Sequence, residues 1–199
     1  MNINPDALLK NANSTLQSDG SILFSDHELP ISKTEWKLLA SLFQGAELNF
    51  ETLFKGDTDE KLSLNCLRIK KQLDSNISNQ SIFNILTTPL FTKFLSKALC
   101  LSDFEIDRCQ AHIYKKGDFL GLHNDKDSAP DYLYSCIISF SSNYSGGEFI
   151  LYDKNKVERF KPLDKSLLII KSGLFHEVKE VLSGERRVLV FFIKNKKSI

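Results

Sequence analysis

Tyr114-Lys-Lys-Gly-Asp-Phe-Leu-Gly-Leu-His-Asn-Asp125 is the stretch on which the rest of this chain turns. It runs as a strand into a glycine-punctuated bend and ends in a His-x-Asp pair. Side chains two positions apart on an extended segment point to the same side. His123 and Asp125 can therefore grip one metal ion from one direction. A third ligand, and a group to receive whatever else the ion holds, should follow further along.

Working outward toward the C-terminus, the texture after Cys100 is one of short β-type runs separated by Gly, Asp, Asn and Ser. They are residues 105–115, 132–142, 147–153, 157–162, 166–171, 177–182 and 186–194. Such spacing predicts an all-β sandwich or barrel. Leu167-Leu-Ile-Ile170 and Val188-Leu-Val-Phe-Phe-Ile193 are apolar on both faces and need cover on both sides, which fits a barrel wall packed under helices. The one histidine beyond His123 in this region is His176, at the end of the 166–171 run. Two imidazoles and a carboxylate on one face of an octahedral ion leave three adjacent positions open, an arrangement that suits non-haem Fe(II) holding a co-substrate and O2 together. Gly184-Glu-Arg-Arg187 then opens the last apolar strand. A guanidinium carried into an apolar barrel needs an anion, and a dicarboxylate would supply one bidentately.

Toward the N-terminus, residues 1 to about 30 are rich in Asn, Ser and Asp, and predict loop with one edge strand at Ser21-Ile-Leu-Phe-Ser25. Ser32-Lys-Thr-Glu35 has capping-box form, and Trp36, Leu38, Leu39, Leu42 and Phe43 follow at helical spacing. Residues 49–54 and 55–60 predict a short element and a turn. For 62–73 the apolar positions do not decide between helix and strand, although 64–69 alternates. From Ser81 to Leu99 the period is helical again, broken at Pro89, which is tolerated in a first helical turn. Two helices are expected there, as cover for a sheet.

The chain has 199 residues, 42% of them hydrophobic, enough for one good core. A formal net charge of +1 gives no strong nucleic-acid signal. Residues 1–10 lack the pattern of a signal peptide and no apolar run reaches membrane-spanning length, so a cytoplasmic protein with no membrane partner is expected. Cys66, Cys100, Cys109 and Cys136 show no Cys-x-x-Cys spacing and predict small apolar side chains rather than a zinc or redox site.

Tyr-x-x-Gly at Tyr114 and Gly117, His-x-Asp at His123 and Asp125, Gly-Gly-Glu at 146–148, Phe-His-Glu-Val at 175–178 and Gly-x-Arg at Gly184 to Arg186 occur in that order. Singly each is weak. Together they resemble the Fe(II)- and 2-oxoglutarate-dependent dioxygenases, in the prolyl 4-hydroxylase-like branch, over roughly residues 105–195. The resemblance implies a mainly β fold with α cover: a double-stranded β-helix, or jelly roll, at 105–195, packed under an N-terminal helical and mixed elaboration at 1–104 within a single domain. It implies that His123, Asp125 and His176 bind Fe(II), that Arg186 rather than Arg187 holds the distal carboxylate of 2-oxoglutarate, and that Tyr114 hydrogen-bonds the same co-substrate. It further implies that O2 is consumed, that succinate and CO2 are released as a C–H bond is hydroxylated, and that ascorbate is an optional reductant. Related halogenases replace the carboxylate that Asp125 supplies here, so hydroxylation is favoured. Where relatives often carry a polar aromatic on the 132–142 strand, Ser139 or its neighbours stand instead.

Each residue also has a plainer reading. Lone histidines are more often structural, Asp125 could be a turn residue beside Asn124, Arg186 could pair with Glu185 or Glu180, and Tyr114 could be core. His112 shares strand parity with Tyr114 but predicts a structural role over a pocket-lining one. The substrate is expected to be a peptidyl residue, or alternatively a free amino acid or small biosynthetic intermediate. A non-catalytic metal-binding jelly-roll sensor is a third reading, disfavoured by the full triad with its arginine. The segments 74–80 and 126–132 could each form an open groove or a lid.

Overall fold

Segments that are apolar on both faces demand two layers of cover, and the chain provides them by curling one antiparallel sheet between a helical layer and a barrel interior. The computed structural model describes residues 5–44, 51–55, 62–69, 77–140, 143–154 and 156–196. Its helices are α1 (Pro5–Asp19), α2 (Lys33–Ser41), α3 (Ile77–Leu86) and α4 (Pro89–Leu99). Its strands are β1 (Ser21–Phe24), β2 (Glu51–Lys55), β3 (Leu62–Ile69), β4 (Phe104–Tyr114), β5 (Phe119–His123), β6 (Tyr132–Ser139), β7 (Tyr144–Gly146), β8 (Phe149–Asp153), β9 (Lys156–Phe160), β10 (Ser166–Lys171), β11 (Phe175–Val178), β12 (Val181–Gly184) and β13 (Arg186–Asn195).

The helix signals act where the sequence places them. Ser32 caps α2 by accepting from the Glu35 amide at 3.2 Å while the Glu35 carboxylate accepts from the Ser32 amide at 2.7 Å. Thr88 caps α4, with Pro89 in the first turn. The expectation of loop over 1–30 is corrected: residues 5–19 form α1. Leu9, Ala12 and Leu16, at helical spacing, are buried in the core, and this tertiary burial overrides the poor helix propensity of the Asn and Ser residues between them. Gly20, at φ +76, ends the helix with its amide on the Leu16 carbonyl. The edge strand β1 then forms as expected.

The sheet order is β1-β10-β6-β13-β4-β3-β5-β11-β8-β9, with β2 added beside β3 and a separate β7–β12 ribbon. The undecided segment 62–73 is strand over 62–69 and lies outside the described residues beyond that, as do Asn49, Phe50, the expected turn at 56–60 and residues 74–76 of the candidate lid. The single run expected at 177–182 is two strands. β11 joins the main sheet, whereas β12 leaves it to pair with β7, after the chain crosses at Lys179 and Glu180. Strand alternation separates two cores. Leu167 and Ile169 of β10, and Leu189, Phe191 and Ile193 of β13, pack with the helices, where Phe91 meets Phe191 at 6.2 Å between ring centroids. Leu168, Ile170 and Val188, one residue out of phase, pack inside the barrel with Ile137, Phe149 and Val178. The result is a jelly roll with α cover. No helix among the described residues is long and apolar enough to cross a membrane.

Candidate metal and co-substrate site

The barrel interior holds a cavity of about 480 Å3. Antiparallel pairing of β5 with β11 sets His123 directly opposite His176, and their ring centroids lie 4.2 Å apart. Each imidazole is aimed by its backbone. Nδ1 of His123 donates to the Gly121 carbonyl at 2.9 Å and Nδ1 of His176 to the Leu174 carbonyl at 3.0 Å. Donation from Nδ1 turns Nε2 of each ring toward Asp125 as the ligating atom. Asp125 lies beyond the end of β5, so strand alternation, the expected device, does not place it. A turn does: Asn124 accepts from the Asp127 amide at 3.0 Å, and the Asp125 amide donates to the Ser172 carbonyl at 3.1 Å. The carboxylate oxygens of Asp125 stand 3.7 Å from His123 Nε2 and 3.6 Å from His176 Nε2. One ligand atom from each of the three residues lies within 4.8 Å of the others, the only such His/Cys/Asp/Glu group among the described residues.

The electrostatics suit a divalent cation. Burial pushes the His176 imidazole down to about 4, against the attraction of Asp125, so it is neutral at pH 7 and able to ligate. Burial would raise the Asp125 carboxyl, but the adjoining His123 and His176 imidazoles and the Ser135 hydroxyl together hold it below the usual carboxylate range. Ser135 donates to Asp125 at 2.5 Å and sits 2.8 Å from the Ser172 hydroxyl, which fixes the carboxylate from behind. Phe149 stacks on His176 at 5.1 Å between centroids.

Arg186, at the start of β13, is 2% exposed and turns into the same cavity. Its guanidinium lies over the Tyr114 ring at 5.0 Å, and its Nε has no hydrogen-bond partner among the described residues. A buried guanidinium left in this state is costly unless an anion completes it. Adjacent strand residues face opposite ways, so Arg187 points outward and binds Glu185 through Nε at 3.0 Å and Nη2 at 2.6 Å. The plainer reading, a glutamate partner, thus holds for Arg187. Tyr114 is 1% exposed, and burial, partly offset by Arg186, raises its hydroxyl to about 12, so it stays a donor. The hydroxyl sits 3.4 Å from Nδ1 of His112.

The structure therefore brings His123, Asp125, His176, Arg186 and Tyr114 to one cavity. The cavity also takes in His112, for which the sequence favours a structural role and whose imidazole is pushed down to about 3 by burial and then by the Arg186 charge. Ser139 is buried but absent from the lining, where Tyr132, Ser135 and Ile137 stand for that strand. Sequence reasoning missed Ser135 and the β3 residues Leu64, Cys66 and Arg68. Their even spacing on β3 was a usable signal once strand was chosen there. Burial raises the Cys66 thiol to about 11, so it stays protonated, and all four cysteines are free.

Residues 109–194 match the family model of the 2OG-Fe(II) oxygenase superfamily. The chain is 24% identical over 172 residues to a PKHD-type hydroxylase of Prochlorococcus marinus, covering 83% of this chain and 75% of that relative. A 2OG-Fe(II) oxygenase family oxidoreductase from Burkholderia pseudomallei has a TM-score of 0.83 to this chain at 24% identity, over 96% of this chain and 92% of that one. A prolyl hydroxylase from Trichoplax adhaerens, in complex with a hypoxia inducible factor oxygen degradation domain peptide fragment, gives 0.75 at 16% identity, over 96% and 90%. Both structures share the curled sheet under helices. The matched segment opens within β4 and closes within β13, the span that carries every converging ligand atom, and over that segment the chain is similar to the 2OG-Fe(II) oxygenase superfamily.

Proposed function

We propose that this chain is an Fe(II)- and 2-oxoglutarate-dependent hydroxylase in which His123, Asp125 and His176 hold the metal and Arg186, with Tyr114, holds the distal carboxylate of 2-oxoglutarate. One observation carries the reading: a buried guanidinium with an unpartnered Nε shares a cavity with three converging ligand atoms. When bound, the iron supplies O2 activation coupled to decarboxylation of 2-oxoglutarate, with one oxygen atom entering succinate, the other entering a substrate C–H bond, and CO2 released.

The chain's own residues supply position and dryness. The carbonyls of Gly121 and Leu174 hold the two imidazole tautomers, and Ser135 holds the carboxylate. Arg186 supplies fixed positive charge, and Tyr114 remains protonated as a neutral donor beside it. Ile137, Phe149, Val178 and Val188 wall the site with apolar surface that excludes water. The functional unit spans both halves of the sequence, because β3 lines the cavity from within the first 104 residues.

The substrate in this reading is a peptidyl residue, supported by the peptide in the Trichoplax adhaerens relative and by a cavity that reaches from Arg186 to Thr52 on β2 and Ser128 beyond β5. A free amino acid or small intermediate is the second reading, and the cavity volume accommodates one. Anaerobic titration with Fe(II) and 2-oxoglutarate, then succinate measurement in air with candidate peptides and amino acids, tests the proposal. Asp125→Ala and His176→Ala should each weaken metal binding by about 100-fold or more. Unchanged metal affinity in either variant would remove the triad assignment.

A further inference from the structure

Beyond the ligand triad the cavity ends in a rim that the proposed chemistry leaves unused. On β4, Gln110, His112 and Tyr114 face inward, and on β3 so do Leu64, Cys66 and Arg68. The register sets Cys66 beside His112 and Arg68 beside Gln110. One step further out lies Arg108, which also lines the cavity. Cys109 pairs with Phe191 and Asp107 with Phe192, so Arg108 is the extra residue of a β-bulge. Its φ of +24 is left-handed backbone that an arginine adopts at a cost of about 1–2 kcal/mol. Bulges of this kind re-aim a side chain beside a site.

Both guanidiniums are exposed to solvent at the cavity rim, and among the described residues no carboxylate lies within ion-pair distance of either. The nearest acid in sequence, Asp107, is already engaged: it accepts from the Tyr132 hydroxyl at 3.1 Å and lies 3.3 Å from Lys194 Nζ. The rim therefore carries two guanidiniums with no ion-pair partner among the described residues, and the Gln110 amide lies beside them. Arg108 and Tyr114 stand six positions apart on β4, about 20 Å of strand, so this pair and the Arg186 site serve different anions.

We propose that Arg68 and Arg108 bind a carboxylate of the substrate, and that the enzyme selects a peptide bearing Asp or Glu beside the residue it hydroxylates. The inference rests on the hydroxylase reading above. Two guanidiniums and an amide match the flat, bidentate geometry of a carboxylate. A nucleic-acid phosphate chain fits the rim less well. The net charge is only +1, and Glu51, Asp107 and Asp131 adjoin rim residues in sequence, which opposes a polyanion.

The test has a binding arm and a turnover arm, both on the full chain. In the first, protein loaded with Mn(II) and 2-oxoglutarate is used to select from a random-sequence peptide library. In the second, the Fe(II) protein is given peptides matched except for a flanking Glu, Gln or Lys, together with glutamate and other free amino acids and a short single-stranded RNA. Enrichment of Asp and Glu is expected, with kcat/KM for Glu-flanked peptides at least about tenfold above Gln-flanked ones, the effect of about 1.4 kcal/mol. Arg108→Glu and Arg68→Glu should invert the ratio toward Lys-flanked peptides, and a ratio taken within one variant is insensitive to any loss of folded protein. Enrichment without charge bias, or an unchanged ratio in both variants, would overturn the inference and leave the hydroxylase reading standing. Turnover confined to free amino acids or to RNA would overturn the choice of peptide. Absence of 2-oxoglutarate consumption with every substrate would instead strike the hydroxylase reading, while the library selection still reports on the rim.

Discussion

At the scale of single residues, the neighbours Arg186 and Arg187 carry opposite duties because β13 turns one into the barrel and the other to solvent. Arg187 satisfies itself on Glu185, two positions back, whereas Arg186 waits on an anion that the described chain does not provide. Arg186→Ala is expected to raise the 2-oxoglutarate concentration needed for half-saturation by about 10- to 100-fold, the effect of a charge-assisted bond of about 1.5–3 kcal/mol. Arg187→Ala should change it by less than about threefold, as befits a half-exposed pair. Titration of 2-oxoglutarate against each variant decides the matter, and the reverse ranking would mean that the other arginine faces the co-substrate. That the two arginines face opposite ways was legible from strand parity alone, and Gly184-Glu-Arg186 favoured the first as the inward one. The place of Asp125 was legible only as spacing. What holds it is a turn closed by Asn124 and Ser172, and Ser172 lies 47 positions further along the chain, a partnership that no local pattern encodes.

At the scale of elements, the ribbon of β7 and β12 depends on a backbone that side chains disfavour. Gly146 sits at φ +70, and a Cβ there would come within 2.2 Å of the Glu180 carbonyl oxygen. Gly146→Ala should therefore cost about 3 kcal/mol or more, combining left-handed strain with a forced backbone shift. Thermal unfolding should show a fall of roughly 6–12 °C for a chain of this length. A change within about 1 °C would show that the ribbon yields freely. Elements with local chemistry of their own were readable beforehand. Ser32 with Glu35 starts α2, Pro89 starts α4, and doubly apolar β10 and β13 read as walls. Elements made by distant partners were not. α1 is a helix because Leu9, Ala12 and Leu16 find a core, and the break between β11 and β12 exists because β12 pairs with β7 instead of continuing. The bulge at Arg108 was invisible for the same reason, being defined only by what β13 sets opposite it.

At the scale of the whole molecule, buried neutral imidazoles make the metal-free protein sensitive to acid. The His176 pKa falls from 6.5 to about 4 and that of His112 from 6.5 to about 3, in both cases chiefly through burial. Between pH 6.5 and these values the unfolded chain binds more protons than the folded one, so stability rises with pH there and is lost on acidification. Melting temperatures in chelated buffer should change little between pH 7 and 8 and fall steadily below 6.5, with a slope approaching about 1.4 kcal/mol per pH unit for each imidazole. A flat profile from pH 6.5 to 4.5 would mean that the histidines are not buried as described. The separation of the two cores carries a different consequence, for how such a protein diversifies. Leu189 and Phe191 answer to the helices while Val190, between them, answers to the barrel. Mutations on the helical side are thereby insulated from the chemistry by the thickness of one sheet. Lineages can exchange their outer helices, acquire new docking faces or drift in sequence there while the reaction centre is inherited intact.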